Sequence, residues 1–281
     1  MERRQIGIVK ELFRYPVKSM LGERLDRLEV GERGVIGDRA WALRETASGK
    51  IVSAKKIAQM LELRATYEAP PRDGEPAPIK IETPGGRVLH ATDADASAML
   101  SAALGREVII ERAEAGQHTR AGIDPATIFG DVPIENVMPQ LTAATMPDSF
   151  SLVRGTFFDS ATMHVLATGT LAHMRSLVGE GAQIDARRFR PNIVVDTGAA
   201  ASGFVEDEWI GQTLEVGGSV RIIAIHPALR CVMTTHRQEE LARDLRIIRA
   251  AAQFHKATVG VFASIGAPGA VRIGDPVFLA A

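Results

Sequence analysis

Short runs in which apolar and polar residues alternate, cut by glycine, fill both ends of the chain. Alternation of this kind, rich in β-branched residues, predicts strands. It places them at Ile6–Leu12, Arg24–Val30, Arg39–Glu45 and Lys50–Ser53, with Gly31, Gly34, Gly37 and Gly49 in the turns. Met60–Ala69 and Ile79–Thr83 continue the pattern on either side of a proline-rich loop, Pro70 to Pro78. Gly85-Gly86 predicts a hairpin.

The middle of the chain has a different period. Asp93 to Leu104 is alanine-rich, with Asp93 or Asp95 to cap it and Gly105 to stop it, so a helix is expected. Val108–Arg112 returns to strand. Gly116 to Val137 is polar and irregular, and loops of such length are more often functional than incidental. Thr168–Leu177 predicts a helix closed by Gly179 and Gly181. Strands follow at Arg190–Asp196, Thr213–Val216, Val220–Pro227, Lys256–Ile265 and Ala270–Leu279, with turns at Gly217-Gly218 and Pro268-Gly269. Between them Gln238–Phe254 carries Leu241, Leu245, Ile248 and Ala252 on one helical face. The pattern is α+β, mostly β, and so many short strands are expected to close into barrels.

Composition narrows the function. The apolar share of 46% is ample for a core, and a net charge of -1 gives no reason to expect nucleic acid or a membrane. No run approaches the ~18 apolar residues of a membrane span, and Met1 to Met20 lacks a signal-peptide core. The single cysteine, Cys231, rules out an internal disulfide, a four-cysteine zinc site and a cysteine-held iron–sulfur centre. A cytoplasmic location is expected.

Three stretches carry candidate chemistry. Cys231 lies between His226 and His236, beside Arg230, whose charge favours a thiolate. A buried structural thiol, a zinc ligand set with the two histidines and a Cys–His nucleophilic pair remain open alternatives. Arg187, Arg188 and Arg190, with Phe189, Pro191 and Asn192, precede a strand and suit a planar anion. Lys18 and Ser19 follow Tyr15-Pro16, and Arg39 follows Gly37-Asp38. From neighbouring β segments these three groups could hold a phosphate.

Taken together the stretches resemble the MOSC family, named for the C-terminal domain of molybdenum cofactor sulfurase. The resemblance runs through Tyr-Pro-Val-Lys-Ser at 15–19, Gly-Asp-Arg-Ala-Trp at 37–41, Arg-Phe-Arg-Pro-Asn-Ile at 188–193, Glu-Asp-Glu-Trp at 206–209, Arg230-Cys231 and Val-Arg-Ile-Gly-Asp-Pro-Val at 271–277. Its two-part pattern is similar to that of the mitochondrial amidoxime reducing components and their bacterial relatives. It implies an N-terminal β-barrel-like domain over residues 1–113 and a MOSC β-barrel domain with peripheral helices over 114–281.

The resemblance also implies a molybdenum cofactor, a molybdenum–molybdopterin, with Cys231 as the metal ligand. Lys18, Ser19, Arg39, Lys55, Ser160, Arg188, Arg190, Asn192 and Arg230 are its implied contacts, and Asp159 joins Cys231 as a catalytic candidate. His164 is a second candidate proton source. Pyridoxal phosphate is not expected. Lys55 departs from the family pattern, which has arginine there; charge is kept and the bidentate fork is lost.

The implied activity is reduction of small N-hydroxylated compounds to amines or amidines. The sequence shows none of the appended ferredoxin found in some bacterial relatives, so electrons are expected from an external ferredoxin, flavoprotein or cytochrome. A sulfur carrier or transferase working through a Cys231 persulfide, a cofactor carrier, and an inert barrel pair are the alternatives.

Overall fold

The computed structural model describes residues 3–75 and 77–280, so Pro76 of the proline-rich loop and the outermost residues of both expected domains lie outside it. Seven strands form its main barrel: β1 (Arg3–Arg14), β2 (Met163–Ala167), β3 (Ile193–Asp196), β4 (Thr213–Val216), β5 (Val220–Leu229), β6 (Thr258–Ala267) and β7 (Pro276–Ala280). The ring runs β1-β3-β2-β6-β5-β4-β7 and closes from β7 back to β1. Every pair is antiparallel except β2 with β3. A parallel pair needs a crossover. Here that crossover contains the helices α2 (Thr168–Val178) and α3 (Ala186–Phe189), after α1 (Ala96–Leu104) earlier in the chain.

Closure depends on β1, which pairs on both edges. Its register shifts between Gln5 and Gly7 against β7 and between Val9 and Glu11 against β3. Such bulges bend a strand and increase its twist. A side chain at Gly7 would run into the backbone of Asp196, so glycine permits the close approach.

Strand alternation sorts the faces. Val220, Ile222 and Ala224 of β5 point into the barrel while Arg221 and Ile223 point out. Val9, Leu12, Val165, Val195, Leu214 and Val261 join them inside. On the outer face Leu166, Val194 and Val259 pack beneath α2 and α4 (Arg246–His255).

The N-terminal unit has smaller sheets. Trp41–Glu45 pairs with Val108–Arg112, and Arg64–Tyr67, Ile79–Glu82 and Val88–His90 form a meander. Leu43, Ile57, Met60, Ile81 and Leu100 share its core. The molecule is thus mostly β, with few helices.

Several elements differ from the sequence pattern. Lys50–Ser53 makes only isolated bridges, from Ile51 to Arg44 and to Ala121. Met60–Ala69 divides into a 3-10 turn over Ala58–Glu62 and a strand over Arg64–Tyr67. The helix expected from Gln238 starts at Arg246, because the Asp244 carboxylate accepts from the Arg246 backbone N–H at 3.0 Å and fixes the first turn there. Ala270–Leu279 splits at a turn where Gly274 has φ 88°. Gly269–Arg272 pairs with Arg27–Gly31 of the N-terminal unit, whereas β7 joins the barrel.

Candidate functional site

After β1 the chain leaves the barrel and crosses to the N-terminal unit. The Lys18 backbone N–H donates to Trp41 O at 2.9 Å, and that of Arg39 to Tyr15 O at 2.7 Å. This ties the two motifs at 15–19 and 37–41 into one corner. Asp38 is the hub of that corner. Its carboxylate accepts from Tyr15 N at 2.7 Å, from the Arg39 guanidinium at 2.5 Å and from Asn192 Nδ2 at 2.9 Å. Asp38 and Arg39 thus form an ion pair within the turn, and the same carboxylate holds the start of β3.

Beside this corner lies a cavity of about 520 Å³. Lys18, Ser19, Arg39, Lys55, Asp159 and Ser160 line it, as do Arg188, Arg190, Arg230 and Cys231. Residues far apart in sequence therefore share one space. Ser19, Arg39 and Arg190 have φ of 66°, 48° and 56°. Left-handed backbone in non-glycine residues is uncommon and clusters at functional sites.

Asp159 stands between two ammonium groups. Lys18 donates to Oδ1 and Lys55 to Oδ2, the latter at 2.6 Å. Lys18 also donates to Phe157 O at 2.7 Å. Burial would raise the Asp159 pKa, but Lys18 and Lys55 outweigh it and hold the carboxyl well below its usual range. Burial lowers Lys18 to about 8 against the pull of Asp159. For Lys55 burial is overcome by Asp159 and by the nearby Cys231, so its pKa is raised. Burial brings Arg190 and Arg230 down to about 10, where both remain charged at neutral pH.

The wall therefore carries Lys18, Arg39, Lys55, Arg190 and Arg230, with Arg188 as a sixth cation, against the carboxylates of Asp159 and Asp38. Buried positive charge in excess is costly unless an anion meets it. Arg190 has one guanidinium nitrogen bonded to Met20 O at 2.6 Å, while its Nη2 has no partner. Its ring neighbour is Tyr15, 4.1 Å below the guanidinium. A donor set of this kind, beside a thiol, fits an anionic cofactor bearing a thiophilic metal.

Two predicted contacts have other duties. Asn192 is fully buried and outside the cavity lining. Its amide donates to Phe13 O and Asp38, and its Oδ1 accepts from His164 N at 3.1 Å. Arg188 touches the cavity, but its guanidinium donates to the carbonyls of Gln183, Thr234, His236 and Ala242. It braces the turn after Cys231. Arg187, the outermost of the three arginines, pairs with Asp185, Glu239 and Glu240 at the surface.

Cys231 is half-buried and begins the 3-10 turn Val232–Thr235. Among the described residues no three His, Cys, Asp or Glu side chains converge to hold a metal. His226 lines the cavity and His236 lies outside it, so the zinc set of Cys231 with both histidines does not assemble. His164 also lines the cavity; burial, then Arg230, keeps its pKa well below the ordinary value and the ring neutral.

Sequence reasoning missed most of the apolar lining. Phe129, Met138, Leu141, Met146 and Phe150 face the space, with Met233 and Phe262 from the barrel side. Met138, Leu141 and Met146 sit in irregular chain without a helical or strand period, whereas Phe262 lies on β6 and Phe150 in the short strand Ser149–Ser151, where alternation gives a face but not what that face meets.

Comparison with known proteins places the chain among characterised families. Residues 6–115 match the MOSC N-terminal beta barrel domain and residues 153–278 the MOSC domain. The chain is similar to mitochondrial amidoxime reducing component 2 of Bos taurus, 27% identical over 98% of this chain and 83% of that protein. It is also similar to mitochondrial amidoxime-reducing component 1 of Homo sapiens, at 23% identity with the same coverage. Among solved structures, the YUAD protein from Bacillus subtilis aligns over 99% of this chain and 97% of its own, with 10% identity and a TM-score of 0.49. The chain belongs to the MOSC family, with a MOSC N-terminal beta barrel domain followed by a MOSC domain.

Proposed function

We propose that this protein binds the molybdenum cofactor and reduces N-hydroxylated compounds, hydroxylamines or amidoximes, to amines or amidines. The observation that carries the reading is the meeting of one half-buried thiol, Cys231, with an excess of buried cationic groups in a single cavity. The bovine and human relatives, named as amidoxime reducing components, support the same chemistry. The chain is taken to divide near residue 113, into 1–113 and 114–281.

When bound, the cofactor supplies a two-electron redox centre. Cys231 as thiolate offers the soft ligand that molybdenum prefers. Arg190, Arg230, Arg39 and Lys55 offset the negative charge of the cofactor, and the Ser19 and Ser160 hydroxyls add hydrogen bonds. Arg188 and Asn192 act behind this surface, by holding the Cys231 turn and the Asp38 corner. Cleaving N–O and releasing water takes two electrons and two protons. Asp159, held ionised, positions Lys18 and Lys55 rather than giving up a proton. Lys18, buried and with a pKa of about 8, keeps a proton it can yield near neutrality. Among these residues one cysteine leaves none for an iron–sulfur relay, and the electrons are taken to come from a separate protein.

Metal and pterin analysis of the purified protein tests this. Stoichiometric molybdenum, lost in Cys231→Ala, is expected, together with turnover of a hydroxylamine by an artificial reductant. Absence of molybdenum with labile sulfur on Cys231 would replace the reading by sulfur transfer. Molybdenum without turnover would leave a cofactor carrier.

A further inference from the structure

The cavity is two-sided in its chemistry. Its cations belong to the 15–19 and 37–41 corner, to Lys55 and to the two arginine motifs. Much of the rest comes from one excursion of the chain. Arg120–Gly122 pairs with Ser149–Ser151, and Ile123 N donates to Asp148 O at 2.8 Å, so the ends of this segment are pinned together. An ion pair from Arg249 of α4 to Asp131 ties its middle down. Among the described residues, the part of this excursion that lines the cavity contributes no charged side chain.

Cys231 lies on the seam. Its side chain packs with the apolar cluster of Ile123, Ile128 and Phe129, and Val232 N donates to Ile128 O at 2.8 Å. Lys55 and Arg230 stand near the same thiol. A ring or phosphate seeking donors finds them on the cationic side. The other side offers carbon and thioether, with Met138, Leu141 and Met146 only partly buried in the protein itself. Partly covered apolar groups that line a concave space gain by burying an apolar ligand. Methionine is unbranched and polarizable, so such a wall accepts varied shapes.

We infer that the 123–150 excursion is the specificity wall of this site, and that it selects uncharged N-hydroxylated substrates carrying an alkyl or aryl body over small polar ones. The inference rests on the reductase reading for the N-hydroxyl group, while the apolar preference rests on the wall alone. Hydrocarbon length then sets affinity, because each methylene buried against the wall leaves water.

The test is equilibrium dialysis of the protein as isolated, without reductant, against hexanamidoxime and acetamidoxime, which share the reacting group and differ in chain length. Hexanamidoxime is expected to bind at least tenfold more tightly, and the ratio to fall below threefold in Met138→Gln/Met146→Gln. A wild-type ratio near one, or no binding of either compound, overturns the inference. A ratio that survives in the double variant also overturns it, since the preference then lies elsewhere. Thermal unfolding of the variant shows that it is folded when the ratio is measured. Turnover plays no part, so an enzyme that binds with this preference and reduces nothing refutes the reductase reading alone.

Discussion

The Lys55 ammonium donates to Asp159 Oδ2 at 2.6 Å, across 104 positions of sequence. The other oxygen of that carboxylate is taken by Lys18. One carboxylate from the middle of the chain therefore holds two lysines of the N-terminal unit at the cavity wall. Both lysine side chains are nearly inaccessible, at 5% and 7%, whereas Asp159 is 39% accessible through the cavity. The arrangement keeps two charges of like sign close together and leaves the carboxylate on the open side.

Asp159→Ala removes the counter-charge of both lysines. Breaking a buried pair is costly because the remaining charge is left alone. The partial exposure of Asp159 screens part of that cost, so a loss of about 1–3 kcal/mol is expected in urea unfolding. Adding Lys55→Met should recover part of the loss. A double-mutant cycle with no coupling between positions 55 and 159 would contradict the ion-pair geometry.

Arg188 was expected among the anion-binding groups, yet its donors serve four backbone carbonyls. Arg188→Met leaves these acceptors without a donor, at 1% residue exposure. Unmet buried acceptors cost about 1–3 kcal/mol each at most, with relaxation and water sharing the load, so a total of about 3 kcal/mol is a reasonable scale. Arg188→Lys should not restore it, because one ammonium cannot reach the carbonyls of both Gln183 and Ala242 in the planar fork of arginine. Full stability in Arg188→Lys would refute this bracing role.

Gly260 sits in β6 with φ 79°, and a Cβ there would press on the His164 ring and lie 2.9 Å from Val165 O. Gly260→Ala combines left-handed strain with a backbone clash. An expected loss of about 2 kcal/mol or more, measured by thermal or chemical unfolding, should come with a shift of the His164 ring resonances. Since His164 lines the cavity, a variant of native stability and unshifted resonances would mean that the strand is not packed this tightly.

Strands with clean alternation were legible in the sequence, and so were the hairpins at Gly85-Gly86 and Gly217-Gly218. Barrel closure was not, because the double pairing of β1 depends on bulges that no local pattern signals. Ala270–Leu279 reads as one strand, whereas the turn at Gly274 and the choice of two partners across space divide it. At the site, the cationic motifs stood out because arginine and lysine beside proline and glycine are conspicuous. The same motifs could not show that Arg188 and Asn192 face the protein while Arg190 faces the cavity. That distinction depends on a single residue, Arg190, whose left-handed backbone turns it away from the course of α3.

Glu206 gives a pH-dependent prediction outside the cavity. It is 2% exposed; its carboxylate accepts from Ala167 N and Thr170 Oγ1 near the start of α2. Burial raises its pKa to about 7, with those hydrogen bonds opposing. The unfolded chain ionises this group near its ordinary 4.5. Between these values the folded state holds a proton that the unfolded state has released, so stability falls as pH rises through that window and levels off above about 7. The whole effect is about 3 kcal/mol. Glu206→Gln removes the titration while keeping an acceptor for Ala167. Thr170 already has a second acceptor in Gly203 O at 3.3 Å, so its hydroxyl can turn to receive the new amide. Urea unfolding from pH 4.5 to 8 should show the variant gaining on the wild-type protein by about that amount as pH rises. A difference that does not change with pH would mean that the two hydrogen bonds, not burial, decide the charge of Glu206.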